Sequence, residues 1–247
     1  MPDRGIRARE LGKVGVGPCA RVVALYDRME DAQAVVSALK DAGLGGSDIS
    51  LVAHDLEGKH GQTLVKVDEK HSGAAKGGAT AGAVLGGIGG LLVGLGALVI
   101  PGIGPVIAAG PLAAGIAALV GAGAGAVAGG VAGGLLGALA GLGIPHEEAQ
   151  YYAEGVRRGG ALVSVTADDS RIDQARRVLD QFHPVNLEGR AAQWRQAGWK
   201  GYDEKAQPYT GDMITQERTR YGATPTSGQP AATGTMDSSG ARVYRGK

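Results

Sequence analysis

"GATAGAVLGGIGGLLVGLGALVIPGIGPVIAAGPLAAGIAALVGAGAGAVAGGVAGGLLGALAGLG", residues 78–143, is the stretch on which the reading of this chain turns. From Gly77 to Pro145 there is no charged residue. Glycine costs a helix about 1 kcal/mol per site relative to alanine in water, so its placement needs a reason. Gly78, Gly82, Gly86, Gly90 and Gly94 recur every four residues, and so do Gly121, Gly125, Gly129, Gly133, Gly137 and Gly141. That spacing puts each set on one face of a helix. Such a face lets two helices approach backbone to backbone. In a bilayer the helix also satisfies every N–H and C=O that lipid cannot.

Opposite the first stripe stand Val84, Leu85, Ile88, Leu91, Leu92, Val93, Leu95, Leu98, Val99 and Ile100. Each favours insertion by about 0.3–0.6 kcal/mol. As a helix Gly77–Ile100 would be about 36 Å long, against a hydrocarbon core of about 30 Å. Gly115–Gly143 forms a second such segment, and Pro101, Pro105 and Pro111 break the path between them. The pattern predicts a glycine-zipper helical (transmembrane) hairpin over residues 72–144, with the eleven glycines as helix-packing residues. Its partners would be the lipid bilayer and, through the stripes, further copies of the chain as a homo-oligomer. A buried helical hairpin in a water-soluble oligomer is the alternative.

Outward from the insert the patterning becomes that of a globular domain. "ARVVALY" (Ala20–Tyr26) is a β-branched run typical of a buried strand. Asp27 and Glu30 suggest a capping box for the helix that follows, Ala32, Val35, Val36 and Leu39 share one face of it, and Gly43 is suited to end it. "DISLVAHD" (Asp48–Asp55) alternates as a half-buried strand does, and "TLVKV" has extended character. After the insert, Pro145, Glu147, Glu148, Arg157 and Arg158 follow the order a helix dipole favours. "ALVSVTA" reads as a strand and "DDSRIDQARRVLDQF" as a helix with Ile172, Ala175, Val178, Leu179 and Phe182 inward. "HPVNL" (His183–Leu187) suits an edge strand, where Pro184 is tolerable. Neither half makes a complete sheet alone. Joined across the insert they give a split ferredoxin-like α+β domain. The domains read as a flexible N-terminus (1–19), a first half-domain (20–71), the hairpin (72–144), a second half-domain (145–187) and a polar, largely disordered tail (188–247).

The stretch from Ala20 to Leu187, with "RVVALYDRMEDAQAVVSALKDAGLGGSDISLVA", the Gly/Ala-rich insert and "GGALVSVTADDSRIDQARRVLDQF", resembles the bacterial general stress protein 17M-like domain and related uncharacterised membrane-protein families. The resemblance implies a stress-associated role and no established activity.

Composition and motifs narrow the function further. The net charge of +1, with no basic domain and no stacking-aromatic pattern, argues against a nucleic-acid partner. Cys19 is the only cysteine, so no intramolecular disulfide forms. The N-terminus has no apolar core of a secretory signal. No G-x-G-x-x-G or G-x-x-x-x-G-K-[ST] pattern is present. His54, Asp55, His60 and His71 do not have zinc-ligand spacing. Asp168 and Asp169 read as helix-capping residues beside Ser170. No catalytic, cofactor or metal residue is assigned, and no enzyme activity is expected. In the tail, Trp194, Trp199, Tyr202, Tyr209 and Tyr221 alternate with Arg and Lys, which suits either a membrane interface or docking on the chain's own domain. Lys and Arg flank the insert, so the positive-inside rule places both termini in the cytoplasm and the protein in the inner membrane, with "PGIGP" near the far leaflet. The leading expectation is a non-enzymatic stress-associated protein whose hairpin anchors or oligomerises a cytoplasmic α/β domain. A pore-forming or membrane-remodelling oligomer and a soluble oligomeric binding module are the alternatives.

Overall fold

The computed structural model describes residues 19–45, 48–55, 96–121, 134–221 and 240–245. Its elements are β1 (Cys19–Tyr26), α1 (Met29–Asp41), β2 (Ile49–His54), β3 (Gly96–Ile100), β4 (Gly104–Ala109), α2 (Gly110–Gly121), α3 (Leu135–Gly141), α4 (His146–Arg157), β5 (Ala161–Asp168), α5 (Asp169–Asp180), α6 (Leu187–Gln196), α7 (Gly211–Arg220) and β6 (Arg242–Arg245). The strands form one six-stranded sheet in the order β3-β4-β2-β5-β1-β6. Every neighbouring pair is antiparallel. β1 and β2, from before the insert, both pair with β5, from after it.

Apolar residues alternate on all the central strands, and helices cover both faces. Val22, Ala24 and Tyr26 of β1, Leu51 of β2 and Val163 of β5 point into one core with Val35, Val36 and Leu39 of α1 and Ile172, Ala175 and Leu179 of α5. Val23, Leu25, Val52 and Leu162 point into the other, against Leu112 and Ile116 of α2, Leu139 of α3, Tyr152 and Val156 of α4 and Trp194 of α6. Burying each Val, Leu or Ile side chain contributes about 1.5–3 kcal/mol, so the sheet has a driving force on both faces. α1, α3, α4 and α6 end alike: Gly43, Gly143, Gly159 and Gly198 take positive φ, and the next residue's N–H reaches back into the last turn. This is the Schellman stop.

The insert departs from the helical hairpin read in the sequence. Gly96–Ile100, read as the end of a membrane helix, is instead strand β3, and Gly104–Ala109 is strand β4. "PGIGP" is the β-hairpin turn between them, where Ile103 N–H donates to Ile100 O at 3.1 Å. The turn packs on the tail: Tyr202 Oη donates to Pro101 O at 2.9 Å, and a Cβ on Gly102 would meet the backbone of Asp203 and Glu204. The physical reason is ambiguity. β4 is buried on both faces and reads as a continuous apolar run, β3 is apolar throughout although Val99 at this sheet edge is exposed, and over five or six residues periodicity does not separate such strands from a buried helix. The span read from Gly115 to Gly143 is not one described helix either, since α2 ends at Gly121 and α3 begins at Leu135. Among the described residues no helix is long and apolar enough to cross a membrane.

The glycine stripes are reached only in part. Gly78, Gly82, Gly86, Gly90, Gly94, Gly125, Gly129 and Gly133 lie outside the described residues. Gly121 ends α2, and Gly137 and Gly141 sit on α3, where a Cβ on Gly141 would meet nothing described within 4 Å. The small-residue contact between α2 and α3 comes from elsewhere in the pattern: a Cβ on Gly115 would lie 3.7 Å from the Ala138 Cβ. Gly110 has a different task. At φ +81°, it brings the start of α2 onto the backbone of Ile49 and Ser50, and Leu112 N–H donates to Ser50 Oγ at 3.0 Å. Gly110→Ala adds a Cβ in left-handed backbone against a strand that cannot rotate away. It is expected to lower stability by about 2–4 kcal/mol in urea unfolding.

The polar tail, expected to be largely disordered, supplies α6, α7 and β6. "HPVNL" is not the last strand. His183 has φ +52°, and Val185 makes a single N–H bond to Leu25 O before α6 begins. That edge belongs to β6, whose Arg21↔Tyr244 and Val22↔Val243 pairs extend the sheet beyond β1.

Candidate functional site

The segment Glu154–Gly160, "EGVRRGG", ends α4 and forms one wall of a notch. Its glycines permit close approach. A Cβ on Gly155 would strike Leu25, and one on Gly159 would strike Ile214 of α7. The notch is lined by β1, α4, α6 and α7, through Asp27, Arg158, Arg190, Trp194, Glu217 and Arg218.

Glu154 is fully buried. A carboxylate there is tolerable only if paired and hydrogen-bonded. Arg157 Nη1 donates to both of its oxygens at 3.3 Å, and Arg158 Nε donates to Oε1 at 2.7 Å. Arg158 also reaches Glu217 Oε2 at 3.0 Å, which ties α4 to α7. The Glu154 carboxylate next to Arg158 holds that guanidinium above its ordinary value, against the downward pull of its own burial. Aromatic rings close over the pair. Arg158 lies 4.9 Å from the Trp194 ring centre, and Arg157 lies 4.8 Å from that of Tyr209, the geometry of cation–π attraction.

On the β1 side, Arg190 makes a two-pronged pair with Asp27, at 2.8 and 3.0 Å, and stacks 4.6 Å over Tyr221. Asp27 is therefore committed to α6 rather than capping α1, whose N-cap is Arg28 with no side-chain bond. Arg218 differs from its neighbours. Its Nη2 donates to Gly159 O at 3.1 Å, and its Nε–H has no acceptor among the described residues. Burial draws this guanidinium below its ordinary value; Glu30 and Asp27 act against that, and Arg28 adds to it.

The aromatic-basic run of the tail is docked on the chain's own domain, the second of the two readings made for it. Trp194 is buried and meets Trp199 edge-on at 5.9 Å, Tyr209 and Tyr221 receive arginines, and Tyr202 holds the β3–β4 turn. A second network fixes β6, with Arg242 bonded to Glu148 and Glu188, and Tyr244 bonded to Glu148 and Tyr152. Asp168 is the N-cap of α5 without a side-chain bond, and Asp169 accepts from Arg245. His60 and His71 lie outside the described residues, and no group of metal-ligating side chains occurs among those described. Sequence reasoning missed Glu154. Its signal was present in the arginines three and four residues on, beside two glycines.

His54, at the end of β2, is half-buried, and its Nε2 bonds to Ile103 O at 3.1 Å, next to the β3–β4 turn. Burial holds its imidazole below the ordinary 6.5. Above about pH 6.5 the ring is neutral in both folded and unfolded chains, and stability is unaffected. As pH falls through that value the unfolded chain takes up the proton first, so stability declines until the lower folded value is passed. Urea melts of wild type and His54→Gln between about pH 7.5 and 5 should show a steeper acid loss in wild type.

The protein so described is a mixed α/β domain with an antiparallel sheet and a tail-built, arginine-lined notch. Residues 21–99 match the family model of the heat induced stress protein YflT domain. The matched stretch is less than half the chain and runs from β1 almost to the end of β3. It ties this part of the chain to a general stress-protein family and supports a stress-associated role. No curated protein and no solved structure matches the chain.

Proposed function

We propose that the chain is a stress-associated protein that acts by binding rather than by catalysis, on a ferredoxin-like core formed by β1-α1-β2 and β5-α5-β6. The match of residues 21–99 to a heat-induced stress protein domain carries the reading. The chemistry of the notch is consistent with it: Arg158 and Arg190 are engaged with Glu154, Glu217 and Asp27 and with the rings of Trp194 and Tyr221, a set that holds charge in place. In this reading the glycine-rich insert serves the fold. The observations that favour this over a bilayer hairpin are the pairing of β4 with β2 and the close approach of Gly115 to Ala138. Deleting the gene from its host should lower survival of a heat step, and the wild-type chain should restore it. Equal survival with and without the gene would overturn the stress role. Carbonate washing of host membranes should release the protein, and retention in the pellet would return the insert to the bilayer.

A further inference from the structure

The sheet closes on β6, a strand brought from the far end of the chain and joined to α7 only through residues 222–239. The contacts that seat it come from distant elements. β1 supplies the backbone partners, with Val22 opposite Val243 and Arg21 opposite Tyr244. α4 and α6 supply a fork of carboxylates: Arg242 donates to Glu148 at 3.0 Å and to Glu188 at 2.7 Å. Two residues on, Tyr244 is buried on the same face, and its hydroxyl bonds to Glu148 and to the fully buried Tyr152. Arg245 donates to Asp169, and the Ala241 N–H to Asp180. Four carboxylates thus receive a strand that carries two arginines. Main-chain pairing with pockets for alternate side chains is how a sheet edge binds an extended peptide.

The seat is reversible. β6 is short and lies at the sheet edge, and two of its ion pairs leave a partner exposed, Glu188 at 72% and Arg245 at 61%. Such an element opens well below the cost of global unfolding. We propose that this groove is a strand-acceptor site that takes the C-terminal strand of a second copy in place of its own, pairing copies by strand exchange. The observed fit fixes the occupant: "RVYR" is the sequence the groove holds, and every copy carries it. The inference rests on the reading of the chain as one that acts by binding, and it deepens that reading by naming a partner.

The test mixes two full chains in a Cys19→Ser background. Val22→Cys makes one the acceptor and Val243→Cys makes the other the donor, on directly opposed positions where Cβ atoms approach to about 4.5–5.5 Å. Mild oxidation should give a covalent heterodimer, identified by mass, whose yield rises with protein concentration. Val23→Cys as acceptor slips the pair by one residue and should give several-fold less. Arg242→Gln in the acceptor weakens the strand that competes for its groove and should raise the yield several-fold. The same change in the donor weakens the incoming strand and should lower it several-fold. No heterodimer, equal yield from the slipped pair, or an Arg242→Gln effect of the same sign in both chains would overturn the proposal. Each of these would leave the heat-survival result untouched, so the two readings fail separately.

Discussion

Glu154→Ala is expected to destabilise the protein by about 3–5 kcal/mol, the cost of breaking a buried ion pair from one side. The Glu154 side chain has no exposure, and its partners Arg157 and Arg158 retain only 14% and 11%. Removing the carboxylate strands two guanidiniums in a low-dielectric site. Arg158 keeps Glu217, but Arg157 is left with the Gln207 carbonyl and the Tyr209 ring. Glu154→Gln preserves shape and loses charge, so it should fall between wild type and Glu154→Ala. Urea unfolding of the three proteins checks the order. A cost below about 1 kcal/mol, the range of an exposed pair, would mean that Glu154 is not buried as described.

Trp194→Ala carries a comparable penalty, about 3–5 kcal/mol for an emptied large aromatic site. Trp194 is among the largest fully buried side chains, packed edge-on to Trp199 and beneath Arg158. The consequences extend beyond the cavity, because α6 brings Arg190 to Asp27 and leads into the loop that holds the β3–β4 turn. The variant should therefore lower Tm and also open residues 187–221 to limited proteolysis while the sheet remains protected. Cleavage spread evenly over the chain would instead indicate that the tail and sheet unfold as one unit.

The elements with a clear period were legible in the sequence. β1, α1, β2, α4, β5 and α5 lie where alternation, helical spacing and glycine stops place them, because their core-facing residues repeat over whole elements. β3 and β4 were not legible. "GALVI" and "GPVIAA" are short and apolar throughout, and the four-residue glycine repeat around them favours a helix. The contrary signal was Val99-Ile100 and Val106-Ile107 on either side of Pro101-Gly102 and Gly104-Pro105, β-branched pairs about a turn. β6 was illegible for another reason. "RVYR" is four residues with no pattern of its own, and it is held by Tyr152, Glu148 and Glu188 from distant elements. The site was legible only in its parts. The tail's rings and arginines stood out, but Asp27, which accepts from Arg190, read as a helix cap, and Glu154, buried against Arg157 and Arg158, was not singled out.

The central claim is that the glycine-rich insert enters the sheet, and the β2–β4 register tests it most directly. Ala53 stands opposite Ile107, and both face the same core. In a Cys19→Ser background, Ala53→Cys with Ile107→Cys places two thiols on directly opposed positions, where Cβ atoms approach to about 4.5–5.5 Å, close enough to bridge with slight adjustment. Val52→Cys with Ile107→Cys slips the pair by one residue and sends the thiols to opposite faces. The account predicts that mild oxidation forms an intrachain disulfide in the first protein and not in the second, seen as faster migration on a non-reducing gel. No intrachain bridge in the first, or equal bridging in both, would contradict it.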